Sequence, residues 1–479
     1  MKGKAWVFIA VLCIMVLALP IACGKKEAGK KGEITIFSWW TSGGEADGLK
    51  SLIDFFQQKN PGVEVINAAV AGGAGTNAKA VLKTRMMGGD PPDSFQVHGG
   101  AELIDTWVKP GLMEPITDLY ASENWNGQFP QALVDMVSYN GQIYAVPSNV
   151  HRGNVLWINK AVFDANGLTP PKTFDDFFAV AAKLKSAGIT PLALASRNKW
   201  EVTHLFECIL LGVGGPQFYR DLFAGKAVWT DGRVGQALYN LGKMVDFSNQ
   251  DHAALTWDQA CGLVQSGKAA MTIMGDWAKG YFMANKWVPD KDFIAVPAPG
   301  TAGNFIVVTD TFGLPKGAKN PAGAREFLKV VGSVEGQIAF NLKKGSIPSR
   351  LNVPSDAFDP IAKATMLDFA SNALVPSCTH GSAAPELFVT TLNDELSVFI
   401  EKKVIDDALR ALAAASIDAG LRPKGAEEAK GLQPANAAQP AAPAAAPAQQ
   451  APAPVQEKGT PIKVIKPAIK TTPQIKGGK

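Results

Sequence analysis

Cysteine and histidine are scarce in this chain, five of each among 479 residues, and their spacing excludes several chemistries. Cys13 and Cys23 fall within the first 24 residues, which leaves Cys208, Cys261 and Cys378 in the body. Three thiols allow at most one disulfide and one spare. No CxxC pair is present, so a zinc cluster has no framework. The histidines are scattered and no HExxH occurs, so metal catalysis lacks a motif. There is no GxSxG elbow to present a nucleophilic serine. Ala71-Gly72-Gly73-Ala74-Gly75-Thr76 is glycine-rich but lacks the lysine of a phosphate-binding loop. A glycosidase needs two carboxylates flanking the scissile bond, and Glu45 with Asp310 qualify by residue type alone. Positive charge is missing where a nucleic-acid footprint would need it. Residues 1–35 carry +4 and residues 424–479 carry +5 of an overall +4, so the body from 36 to 423 is −5. A mildly acidic body argues against nucleic-acid binding.

The two ends read as processing and tethering segments. Lys2 and Lys4 precede an almost unbroken apolar run from Ala5 to Ala22, the pattern of a secretory signal peptide, with a short membrane anchor as the alternative. The run ends in Leu19-Pro20-Ile21-Ala22-Cys23-Gly24, which resembles a bacterial lipobox, although Pro20 stands where Leu, Val or Ile is usual. Cleavage before Cys23 would leave an acylated lipid anchor, and residues 24–33 a polar tether. At the other end, residues 434–454 are almost entirely Ala, Pro, Gln and Asn, an extended linker composition. The last 22 residues hold Lys458, Lys463, Lys466, Lys470, Lys476 and Lys479 with no acid. They read as a disordered solubilising tail, or as a contact with anionic lipid or cell-wall polymer.

Between the ends, strands and helices alternate. Ile34–Trp39 has the apolar run of a buried strand. A helix follows with Leu49, Leu52, Ile53 and Phe56 on one face and stops at Asn60-Pro61-Gly62. Val63–Ile66 returns as a strand, which makes a βαβ unit and implies a parallel sheet. Ser94–Val97 reads as the next strand. Ile143–Pro147 and Val155–Ile158 are two short strands, and Thr173 with Asp176 has capping-box spacing before a helix. Met271–Met274 and Phe305–Val308 continue the α/β alternation, and helices dominate from Pro321 to about Ala415. A body of almost 390 residues exceeds what one core usually supports, so two lobes are expected.

Open α/β sheets bind ligands beyond the strand ends, and several sugar-gripping residue types fall there. Aromatic planes stack on sugar C–H faces, while carboxylates, amides and cations hold hydroxyls. Trp39 and Trp40 end the first strand, with Glu45 just beyond. Gln96 and His98 end the third strand, and His151 with Arg152 lies between the two short ones. Trp257 precedes a helix, Asp276-Trp277 follows Met271–Met274, and Asp310 follows Phe305–Val308. Lys343, Lys344 and His380 fall in Gly/Ser-rich turns. Each has a plainer explanation: a single Trp more often packs a core, a lone His is more often a satisfied structural group, and Asp310-Thr311 could be a helix cap.

Taken together, the stretch Ile34-Thr35-Ile36-Phe37-Ser38-Trp39-Trp40-Thr41-Ser42-Gly43-Gly44-Glu45 resembles the start of ABC-importer sugar-binding proteins, the extracellular solute-binding family 1. Val70–Gly75, Gly89–Ser94, Asn149–Asn154, Met274–Trp277 and Asp310–Pro315 resemble its glucose/galactose-binding branch. The resemblance spans roughly residues 33–420. It implies a two-lobed α/β periplasmic-binding-protein fold with a hinge and an inter-lobe ligand cleft. The first lobe would hold 33–145 with a returning segment near 305–350. The second would hold 150–304 with part of 351–420, and hinge strands would lie near 143–150 and 305–315. It also implies a monomeric, lipid-anchored receptor of the periplasm or cell envelope, without cofactor or metal. That receptor would close on glucose and/or galactose and deliver it to ABC permease subunits. By the same resemblance Trp39 or Trp40, and Trp277 with Trp257, stack on the sugar. Glu45, Gln96, His98, Asp310, Lys344 and His380 hydrogen-bond it, with His151 at the edge of the second lobe and Lys343 an alternative to Lys344. The rival expectations are an envelope glycosidase and an envelope scaffold or sensor acting through the basic tail.

Overall fold

The computed structural model describes residues 32–71 and 75–422. The signal peptide, Cys23, most of the tether, Gly72–Ala74 of the glycine-rich stretch and the tail from 423 lie outside the described residues.

Two α/β lobes are built on separate sheets. In the first, Glu33–Phe37 pairs in parallel with Glu64–Asn67 on one side and with Ser94–His98 on the other. The intervening helix Gly43–Lys59 buries Leu49, Leu52 and Phe56, the apolar face read from the sequence. The sheet is then extended by a strand from far along the chain. Asp310–Pro315 runs antiparallel to Ser94–His98, with Asp310 opposite His98 and Phe312 opposite Gln96. Cross-strand partners share a face, so this register sets His98 and Asp310 side by side at one sheet end. Ile34, Ile36, Phe56, Phe312, Phe327 and Phe340 pack the core behind it.

The second lobe is centred on the sheet Thr190–Leu192, Ala269–Ile273, Val155–Asn159 and Phe293–Pro297. Its helix Phe174–Ser186 starts in the expected capping box between Thr173 and Asp176 and is followed by Gly188 at φ +75°. The helical stretch Trp200–Phe223 bends at Gly215, whose φ of +74° precedes Pro216. Its first half is buried and contributes Leu205, Phe206, Ile209 and Leu210 to the core.

A small sheet of Ala373–Pro376, Asn304–Val308 and His151–Arg152 lies where the chain passes between the lobes. A further passage brings Ile347 back to bridge Val150. Near it, the helices Gly43–Lys59, Trp277–Ala284 and Val334–Lys344 meet through glycines. A Cβ on Gly44 would lie 2.4 Å from the Lys343 carbonyl oxygen, and one on Gly280 would lie 2.5 Å from that of Lys344. Backbones approach this closely only where no side chain intervenes.

The three cysteines within the described residues are free and buried, so none forms a disulfide. No helix among these residues is long and apolar enough to cross a membrane.

Candidate functional site

The strand ends of the two lobes face each other across a cleft, and its chemistry follows from what each element brings. From the first lobe come Trp39, Trp40, Glu45, His98, Asp310 and Lys344, and from the second His151, Trp257, Trp277 and His380. Of the sequence-derived candidates in the described residues, Gln96, Arg152, Asp276 and Lys343 lie off the cleft surface. Gln96 is the one tied directly to the cleft carboxylate. It sits directly behind: its Nε2 donates to Asp310 Oδ1 at 2.8 Å, and its Oε1 accepts from the Trp39 amide at 3.2 Å.

Asp310 is the hub. Asn149 Nδ2 donates to its Oδ2 at 2.8 Å, and the Asp310 amide donates to Asn149 Oδ1 at 2.8 Å. His98 Nε2 lies 3.7 Å from Oδ1, and His151 Nε2 lies 3.4 Å from Oδ2. Burial opposes ionisation, but the His151 hydrogen bond and the charges of Lys344, His98 and His151 outweigh it. The Asp310 carboxyl is therefore held well below the usual carboxylate range. It is a fixed anion with donors on every side.

Each neighbour is itself held from behind. His98 Nδ1 bonds Glu102 Oε2 at 2.9 Å, and Lys79 bonds the same oxygen at 2.7 Å. His151 Nδ1 bonds Asp276, whose second oxygen accepts from the Arg152 amide at 3.0 Å. His380 Nδ1 bonds Ser377 Oγ at 2.9 Å. Burial and the nearby charges of His98, His204 and Lys79 push His380 well below the ordinary histidine range, so its ring is neutral. Lys344 closes the helix Val334–Lys344, and its Nζ meets Glu45 Oε1 at 2.6 Å. Lys343 points outward and is exposed, so helix phase selects Lys344. Both lysines belong to the last helical turn, where the sequence suggested a loop.

The aromatic walls are equally specific. Trp39 is half-buried against His98, with ring centroids 5.0 Å apart. Trp40 is 1% exposed, packs on Phe312 and Phe340, and carries the Lys344 ammonium over its ring at 5.3 Å. Trp277 lies between His151 and His380, at 5.3 and 5.0 Å. Trp257, at the start of Trp257–Gln265, is partly exposed. The cleft leaves about 150 Å³ open to the centre of a water molecule.

Sequence reasoning missed Asn198, Trp200, Thr256 and Asp258, which also line the cleft. They sit at helix starts rather than strand ends. The Asn198-x-x-Glu201 spacing, of capping-box type, was the available signal. In the structure Asn198 Nδ2 donates to Glu201 Oε1 at 3.0 Å. Glu201 is buried, and that burial pushes its pKa up to about 7.

A family model described as bacterial extracellular solute-binding protein matches residues 35–338. An uncharacterized ABC transporter extracellular-binding protein of Pyrococcus horikoshii is 44% identical over 78% of this chain and 85% of its own length. A probable sugar-binding periplasmic protein of Mesorhizobium japonicum is 36% identical over 84% of this chain and 97% of its own. Among solved structures, the bacterial solute receptor AcbH, described as exclusively preferring β-D-galactopyranose, superposes with a TM-score of 0.73. It does so at 20% identity, covering 81% of this chain and 99% of its own. The matched span, the two lobes and the cleft between their strand ends agree: this chain belongs to the bacterial extracellular solute-binding protein family.

Proposed function

We propose that this chain is the extracytoplasmic receptor of an ABC sugar importer and that its cleft closes on one monosaccharide, glucose and/or galactose. One observation supports the reading above others. A buried anion, Asp310, stands among imidazoles, a lysine and a second carboxylate, and indoles from both lobes wall the space between them. Such a site offers stacking planes and bidentate hydrogen-bonding groups together, as a pyranose needs. Sugar contacts drawn from both lobes would favour the closed form by differential affinity.

The geometry does not favour a glycosidase. A general acid needs a raised pKa, whereas Asp310 is held ionised, and Glu45 is engaged by Lys344. The expected partners are the permease subunits and, through Cys23, a membrane, with the receptor acting as a monomer in the periplasm or cell envelope. Intrinsic tryptophan fluorescence tests the reading, because Trp39, Trp257 and Trp277 border the cleft. Glucose or galactose should give a saturable change with no product formed. A flat response to both would remove the proposed ligand, and accumulating product would revive the hydrolase.

A further inference from the structure

Behind the cleft wall, the helical stretch Trp200–Phe223 carries His204 and Glu207 one turn apart, and the turn after Ala373–Pro376 brings His380 against them. One donor atom from each lies within 4.8 Å of the other two. His204 is 0% exposed, yet neither of its ring nitrogens makes a hydrogen bond. A buried polar ring without partners is costly and calls for an explanation.

Glu207 supplies one. Its Oε2 is saturated, accepting from the Cys378 amide at 2.9 Å, the Thr379 amide at 3.2 Å and Tyr219 Oη at 3.2 Å. Its Oε1 takes only Ser377 Oγ, at 2.9 Å, and lies 3.5 Å from His204 Nδ1 and 4.0 Å from His380 Nδ1. A free carboxylate lone pair therefore faces two imidazoles, and one of these has no other partner. Two histidines and a carboxylate form a donor set for a divalent transition metal, with a fourth position left for water. Metal bonds of about 2.0–2.2 Å place neighbouring ligands roughly 3.3 Å apart. The donors, now within 4.8 Å of one another, must draw in by up to about 1.5 Å to reach that spacing, with His380 Nδ1 exchanging its hydrogen bond to Ser377 Oγ for the metal. The Ser377 hydroxyl and the backbone amides of the turn already hold Glu207 in place, as outer-shell groups do around metal ligands.

We propose that His204, Glu207 and His380 bind a divalent transition metal, with zinc the ion that suits them best. A metal on Nδ1 would leave the His380 proton on Nε2 and make this cleft-lining ring a fixed donor. The site stands whatever ligand the cleft takes.

The test uses the purified, untagged full-length protein, stripped with chelator and titrated with Zn²⁺. Bound metal is quantified by mass spectrometry, and Co²⁺ provides a spectroscopic probe. The proposal expects one zinc per chain, lost in His204→Gln and Glu207→Gln but kept in His252→Gln. It also expects visible cobalt bands of nitrogen/oxygen coordination and a melting temperature raised by zinc. No stoichiometric zinc, undiminished zinc in both the His204→Gln and Glu207→Gln variants, or a thiolate-to-cobalt band pointing to cysteine would each overturn it. Should a variant fail to fold, the wild-type cobalt spectrum and zinc-dependent melting still decide.

Discussion

Gly280→Ala should weaken ligand binding without weakening the fold, because the new methyl meets a surface that belongs to the other lobe. Gly280 lies in Trp277–Ala284, whose Phe282 packs on Trp157 and Phe293 of the second sheet. Its Cβ would stand 2.5 Å from the Lys344 carbonyl oxygen and 3.0 Å from the Lys344 carbonyl carbon. Lys344 ends a helix packed on the first sheet through Phe340 and Trp40. Ordinary contact begins near 3.4 Å, so the two surfaces must part by almost an ångström. Overpacking a tight contact costs about 1–3 kcal/mol. If the lobes part here on opening, as the proposed hinge closure requires, the cost falls on the closed form, and Kd should rise by roughly 5- to 150-fold. Calorimetric titration reads the affinity, and thermal unfolding of the ligand-free protein reads the fold. Unchanged affinity would refute the reasoning. So would a ligand-free melting temperature lower by more than about 4 °C, since the clash would then burden the open form too.

Other consequences can be checked one by one. Asp310→Asn keeps the shape and removes the charge. Hydrogen bonds to an ionised group contribute about 1.5–3 kcal/mol, so sugar binding should weaken by 10-fold or more in calorimetry, and an affinity within twofold of wild type would contradict the role given to Asp310. Glu201, with its pKa raised by burial to about 7, contributes stability that is full below its unfolded value of 4.5 and lost as pH rises through 7. At about 1.4 kcal/mol per pKa unit, Glu201→Gln should melt higher than wild type at pH 8, and the difference should shrink by pH 5. Cys208, Cys261 and Cys378 are buried and their thiols are pushed above the usual range. A thiol reagent should therefore leave them untouched in the native protein and reach all three only after denaturation.

What could be read in advance, and what could not, follows from where each residue sits. The βαβ start showed its strand runs and helix face openly, because Leu49, Leu52 and Phe56 pack only in that phase. The rule that ligands gather beyond strand ends located Trp39, His98, Asp276-Trp277 and Asp310, because those positions need only local pattern. The antiparallel return of Asp310–Pro315, which sets Asp310 opposite His98 across more than 200 residues, has no local signature. Helix phase decided between Lys343 and Lys344, and it became visible only once Val334–Lys344 was seen to continue to its last lysine. Trp200 and Asn198 were overlooked because they open a helix. Gln96 ends a strand as expected, yet its amide is spent on Asp310. Glycine contacts such as Gly280 against Lys344 arise from packing between distant helices, and nothing in neighbouring residues announces them.

The most direct measurement is calorimetric titration of the purified full-length protein with glucose, galactose, mannose, xylose and maltose. Closure of the cleft on one hexose predicts saturable 1:1 heat with glucose, galactose or both, and none with maltose. No heat with any of the hexoses, or a slow continuous heat of reaction, would contradict it.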